Sequence, residues 1–172
     1  HRLGDDEGER ATLESAAGMV AYRAGAYPEA LRRFETSRAL IEKTQGASSV
    51  DLAEVLQRLA LALEPLGKWE ESIAMGRRGL DILRQRLGET HPRVAEARRH
   101  LSKHLLLNDY IDQALAEARR ALAICERIYP EDDPHIGAAL AGLAGVLLEQ
   151  SRGREALPLF VVTMASQNVP GV

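Results

Sequence analysis

Apolar and polar positions along the chain alternate with the spacing of amphipathic helices, and the whole pattern returns every 42 residues. The segment GAYPEALRRF from residue 25 is echoed by GKWEESIAMG from 67, DYIDQALAEA from 109 and SRGREALPLF from 151. A fixed period of this length describes architecture before any residue is read for chemistry. Set in four rows, one column holds Ala30, Ser72, Ala114 and Ala156, small in every row, and the next holds Leu31, Ile73, Leu115 and Leu157, aliphatic in every row. Thirteen residues earlier come Ala17, Leu59, Leu101 and Leu143, followed by Gly18, Ala60, Ser102 and Ala144. A small residue beside a large one lets two helices approach closely and interlock, so each row predicts a helical hairpin.

Turn residues set the expected boundaries. First helices are expected over 9–24, 50–65, 92–107 and 134–150, ending near Gly25, Gly67, Asn108 and Ser151. Second helices are expected over 27–44, 69–86, 111–129 and 154–167, with Pro28 and Pro158 in first turns, where a missing N–H costs little. Pro65 falls in a last turn and is expected to tilt it. The breaks TQGASSV, LGETHPRV and YPEDDPHI separate the rows, and in the last two Pro92 and Pro134 suit the first helical position, preceded by His91 and Asp133 as caps. Asp132 and Asp133 are read as a capped, solvated loop. The prediction is one domain over 9–167, with repeats at 9–49, 50–91, 92–133 and 134–167.

Leu59-Ala60, Gly67, Trp69, Ser72 and the loop LGETHPRVAEA closely resemble tetratricopeptide repeats of the 42-residue kind found in kinesin light chains and many bacterial proteins. The resemblance covers about residues 9–167. It implies an all-α, right-handed superhelical solenoid of four antiparallel helix pairs, with each first helix lining a concave groove. Stacking supports the same picture on physical grounds, because one hairpin cannot cover its own apolar face. No polar capping helix follows FVVTMASQNVPGV, so Phe160, Val161 and Met164 are expected to be covered by another part of a longer protein, or by self-association through the C-terminal repeat.

Composition narrows the class further. Apolar residues make up 45% of the 172 and aromatics only 4%, as in helical proteins rich in Ala, Leu, Arg and Glu. The net charge of −3 gives no global field for nucleic acid or an anionic membrane. Arginine outnumbers lysine 19 to 3, which hints at a GC-rich, bacterial source. The lone cysteine, Cys125, excludes an internal disulfide, points to a reducing, cytoplasmic setting and shares its column with Ile41 and Leu83 as a small core residue. No signal peptide or membrane-length apolar run is visible. The chain opens on His1, read as a tag remnant, and is expected to be a piece of a longer protein.

The resemblance places groove positions at Thr12, Ser15, Met19, Tyr22 and Arg23 in row one, and at Glu54, Gln57, Leu61 and Glu64 in row two. Glu96, Arg99, Lys103, Leu106 and Leu107 follow in row three, then Ala138, Ala141, Gly145, Leu148 and Glu149 in row four. Such a surface, acidic in row two, basic in row three and small in row four, suits an extended or helical peptide with charges and apolar anchors. The asparagine ladder of kinesin light chains is replaced by Ser15-Ala16, Gln57-Arg58, Arg99-His100 and Ala141-Gly142, and the lysines and asparagines of the co-chaperone carboxylate clamp do not occur at the matching positions. Cargo-type and chaperone-tail recognition are therefore not expected.

Catalysis has little to stand on. Glu96, His100 and His104 have a spacing able to hold zinc on one helix face, and a metal-dependent enzyme is the reading they would support. His104, however, shares its column with Val20, Ala62 and Val146, which points inward to packing. No phosphate-binding glycine loop, HExxH or GxSxG occurs. The expectation is a non-enzymatic protein- or peptide-binding scaffold without cofactor or metal, the interaction region of a larger signalling protein such as a kinase, transcription regulator or NTPase. The alternative is a structural array that packs on its own chain or on a second copy.

Overall fold

The computed structural model describes residues 2–151 and 153–159, with side chains described from residue 6 onward. Seven long helices follow one another: α1 (Arg2–Arg23), α2 (Tyr27–Gln45), α3 (Val50–Leu63), α4 (Trp69–Leu87), α5 (Pro92–Leu106), α6 (Ile111–Ile128) and α7 (Pro134–Glu149). Residues 153–159 are again helical, and no strand occurs among the described residues. Contacts divide the chain into two compact units, His1–Arg86 and Leu87–Val172.

The helix ends keep the period to the residue. Gly25, Gly67, Asp109 and Ser151, each 42 apart, take left-handed φ values of 76°, 70°, 61° and 58°. In row three the reversal thus sits on Asp109, one residue after Asn108. Tyr110 N–H reaches back to the Leu105 carbonyl at 3.0 Å and Asp109 N–H to that of Leu106 at 3.1 Å, closing the last turn in a six-to-one and five-to-two pattern. Asn108 instead donates its side-chain amide to the His104 carbonyl at 2.9 Å. Asp109 and Ser151 adopt a geometry that glycine reaches without strain.

Three first helices are capped by side chains. Ser49 Oγ accepts from Leu52 N–H at 3.2 Å, His91 Nδ1 from Arg93 N–H at 3.2 Å, and Asp133 Oδ1 from His135 N–H at 2.8 Å. Pro65 does more than tilt the end of α3. Lacking an N–H for the Leu61 carbonyl, it closes the α-helix at Leu63 and passes the chain into a 3₁₀ turn, Glu64–Leu66. Pro158 is the sixth residue of the 153–159 segment, past the first turn where the sequence pattern puts it. The helix α1 begins at Arg2, seven residues before the expected start. The acidic pair Asp6 and Glu7 favours a helix N-terminus, and Glu7 is tied to Lys43 of α2 at 2.5 Å.

Within unit 1, α1 and α2 pair, and α3 packs on both. Ala30 and Ser72 are wholly buried, and Ser72 Oγ donates to the Ala60 carbonyl at 2.9 Å. Two turns further along, Ser37 Oγ donates to the Ala11 carbonyl at 2.7 Å. Its counterpart Gly79 lies so close to α3 that a Cβ there would stand 3.1 Å from the Ala53 carbonyl oxygen. Unit 2 repeats the contact with donor and acceptor exchanged, Ser102 Oγ of α5 giving its hydrogen to the Ala114 carbonyl of α6 at 2.8 Å. Ala114 and Ala156 are also 0% exposed, so the small column is closed in every row. Arg98, 5% exposed, bridges Glu89 at 2.8 Å and Glu117 at 2.5 Å, joining α5 to α6. The aliphatic column departs from expectation once: Ile73 and Leu115 are 3% and 7% exposed, but Leu157 is 64% exposed. Phe160, Val161 and Met164 lie outside the described residues.

Candidate functional site

In unit 1 the expected groove positions fall on α1, α3 and the 3₁₀ turn. Ser15 is buried, and Arg58 of α3 donates to its hydroxyl while pairing with Glu54. The structure therefore brings Ser15 and Glu54 together through one guanidinium. Met19 and Leu61 are partly buried, and Tyr22 sets its ring edge-on to Tyr27, centroids 5.6 Å apart. Thr12 and Arg23 are exposed. Gln57 turns toward α4, where its amide nitrogen would be 3.0 Å from a Cβ at Gly79. Glu64 is buried in the 3₁₀ turn, 7% exposed.

In unit 2, α5 presents Glu96 and Lys103 fully and Arg99 and Leu106 in part, with Leu107 half exposed behind them. On α7, Ala138, Leu148 and Glu149 are exposed, and Ala141 and Gly145 partly buried. Gly142 admits the Arg99 stem, whose Cγ lies 3.7 Å from the position of a Cβ there. A cavity of about 180 Å³ opens between α5, α6 and α7, bordered by Glu96, Arg99, Cys125, Tyr129, His135 and Ala138. It brings Glu96 and Arg99 together with groups that sequence reasoning did not assign to a site. Tyr129 and His135 stack on each other at its border, centroids 4.5 Å apart and planes 7° from parallel.

A signal for the cavity was present in the columns. Cys125 stands where the other rows have Ile41 and Leu83, all three 5% exposed. Ala138 stands where rows two and three have Glu54 and Glu96. Cys125 is smaller than the aliphatic residues of its buried column, and Ala138 lacks the long exposed side chain that Glu54 and Glu96 carry, so the recess is less filled at its floor and less covered at its mouth.

Burial raises the pKa of the Cys125 thiol, opposed by the nearby Arg99 charge, so the thiol is a poor nucleophile. Burial likewise raises the pKa of Tyr129. Asp133 is held below the usual aspartate range by the backbone N–H of His135 and then by its ring, with Nδ1 at 2.7 Å from the carboxylate. A carboxyl depressed by folding stabilises the native state above the unfolded pKa, and that contribution is lost as pH falls through the lower folded value. Urea melts from neutral pH into acid should therefore show a shallower acid limb for Asp133→Asn than for the parent. Superimposable limbs would mean that the cap carries no pH-linked stability.

The zinc spacing does not assemble a site. His104 is buried at 1% exposure while Glu96 faces outward, and among the described residues no three His, Cys, Asp or Glu side chains gather as metal ligands. No described helix is long and apolar enough to cross a membrane.

The model of the tetratricopeptide repeat family matches residues 9–85, and no curated protein matches the chain. The fold is that of several solved structures. BtubC (BKLC) from P. vanneervenii is 20% identical with a TM-score of 0.83, over 94% of this chain and 66% of its own. A Podosopora anserina putative kinesin light chain with nearly identical TPR-like repeats is 20% identical with a TM-score of 0.77, over 92% of this chain and 75% of its own. A Rap protein complexed with competence and sporulation factor is 16% identical with a TM-score of 0.76, over 91% and 43%. The chain thus spans about two thirds of the first of these and less than half of the last.

Proposed function

We propose that the chain, whose residues 9–85 match the tetratricopeptide repeat model and whose fold is shared with a putative kinesin light chain, is a non-catalytic scaffold that binds a protein or peptide through one face of its first helices. The observation that carries this reading is the cavity of about 180 Å³ beside Glu96 and Arg99, a recess of side-chain size with both charges and apolar walls. Ligand sites are concave, mostly apolar and fixed by a few polar groups, and this recess has that composition. A protein of the same fold is solved complexed with competence and sporulation factor, which supports a ligand on the fold without naming one for this chain. In this reading the array is the interaction region of a larger bacterial signalling protein in the cytoplasm, joined to a kinase, transcription regulator or NTPase.

Reversing the row-three charges tests the reading. Arg99→Glu with Lys103→Glu should weaken a peptide selected from a display library by about tenfold or more, because opposite charge at a binding face sets both encounter and specificity. Lys103→Glu, at an exposed position, should change stability by no more than about 0.5 kcal/mol, and circular dichroism of the double variant should show unchanged helicity. Unchanged affinity for every selected peptide would remove the row-three face from the binding site.

A further inference from the structure

We propose that the recess of unit 2 binds a small aromatic carboxylate, a free organic anion of benzoate size, with its ring against the apolar walls and its carboxylate at Arg99. The inference shares with the preceding reading only that the recess is a ligand site. The recess measures about 180 Å³, and an apolar cavity of roughly 150 Å³ takes up a benzene ring. Ala95, Ala139 and Cys125 border it and are 3%, 2% and 5% exposed, so its floor is apolar and held in the core. Tyr129 and His135 stand at the border with their ring centroids 4.5 Å apart. A flat ring packs against such a pair by offset stacking or by its edge.

The charges around the recess decide the sign of the ligand. Arg93 and Arg99 border it against a single carboxylate, Glu96, and the His135 ring is tied through Nδ1 to Asp133. Among the described residues neither arginine forms an ion pair, and Arg99 has only the His100 ring as a side-chain partner, its Nη2 2.9 Å from Nε2. Arg98, the next residue on the same helix, holds two carboxylates. Burial raises the pKa of the Cys125 thiol and the Arg99 charge opposes the rise, so that charge is felt at the floor. A guanidinium grips a carboxylate through two parallel hydrogen bonds, which favours a planar anion. Two positive charges against one negative are matched by a ligand of single negative charge.

Neither the charges nor the ring is demanded by the repeat. In the column of Arg93 rows one and two hold Glu9 and Asp51, in that of Arg99 they hold Ser15 and Gln57, and in that of Tyr129 they hold Gln45 and Leu87. Helix packing in those rows is thus met by acidic, neutral and non-aromatic residues. Of these three rows only the third gathers two guanidiniums and an aromatic ring about one recess. Concave sites with apolar walls and a few convergent polar groups are where small ligands bind.

Titration of sodium benzoate into the isotope-labelled full chain at constant ionic strength, followed by amide NMR, is the test. Saturable shifts should centre on Glu96, Arg99, Tyr129 and Ala138, with half-saturation at about 1 mM, the order expected of so small a ligand. Benzyl alcohol keeps the ring and lacks the charge, and should bind at least about tenfold more weakly. Arg99→Gln should weaken benzoate by about tenfold. Ala138→Leu, at an exposed position, should abolish the shifts by filling the mouth. Circular dichroism should show unchanged helicity in both variants. Absence of saturation up to about 10 mM, equal binding of benzyl alcohol, or an Arg99→Gln chain that binds benzoate like the parent overturns the proposal. A selected peptide that binds this face where benzoate does not overturns it as well and leaves the peptide reading standing. Saturable benzoate binding where no peptide can be selected upholds it and removes the peptide reading.

Discussion

Replacing Ala114 with arginine should lower the stability of the protein by about 3–5 kcal/mol, the range for a misfitting or uncompensated charged group in a core. Ala114 is 0% exposed, and its carbonyl accepts the Ser102 hydroxyl at 2.8 Å, so α6 touches α5 at this point with no space for a longer side chain. The small column repeats at Ala30, Ser72 and Ala156, each 0% exposed. An arginine must either bury its guanidinium or push α6 off α5 and break the Ser102 bond. At this chain length the thermal midpoint should fall by roughly 10 °C. A midpoint within a degree or two of the parent would mean that the two helices separate cheaply and that the column does not hold the hairpin.

Truncating Phe34 to alanine should be comparably costly, about 3–5 kcal/mol, through lost transfer energy and the cavity left behind. Phe34 is 0% exposed, and it fills the space that Gly18 leaves on α1. A Cβ at residue 18 would stand 2.6 Å from the ring's Cε1 and 2.7 Å from Cδ1. The sign of the effect at Gly18 is therefore the sharper check. Alanine for a mid-helix glycine ordinarily gains about 1 kcal/mol from propensity, but here it should lose about 1–3 kcal/mol to overpacking. In a Phe34→Leu background the loss should shrink, since contacting residues couple. Chemical denaturation of the four chains of that cycle measures both terms. A stabilising Gly18→Ala in the parent would show that the ring can move aside.

The architecture was legible because the 42-residue columns record contacts. Ser72 with Ala60 and Ser102 with Ala114 occupy the same pair of columns twelve residues apart, and the structure closes the same bond from opposite sides. Local chemistry was legible at His91 and Asp133, where a cap before proline leaves few alternatives. Features that depend on what lies beside a residue were less so. The early start of α1 follows from acidic residues and a tie to Lys43 rather than from apolar spacing. The exposure of Leu157 cannot be read from a column that is buried elsewhere.

The candidate site was legible as a face and obscure as a surface. Column position puts Ser15, Gln57 and Glu64 beside Tyr22 and Leu61, but long side chains choose partners by reach. Arg58 takes the Ser15 hydroxyl, Gln57 leans toward Gly79, and Glu64 turns inward with the 3₁₀ turn that Pro65 imposes. In unit 2 the recess is bordered by Cys125 and Ala138, each smaller than the residues of its column, which appears only when each column is compared for size as well as polarity.

The most direct measurement of the binding role is amide mapping by heteronuclear NMR, with a peptide drawn from a display library titrated into the labelled chain. The account predicts saturable perturbations centred in unit 2 on α5, α7 and the end of α6, around Glu96, Arg99, Cys125 and Ala138, with α2 little changed. Failure to select any peptide, or perturbations confined to α2, would contradict it.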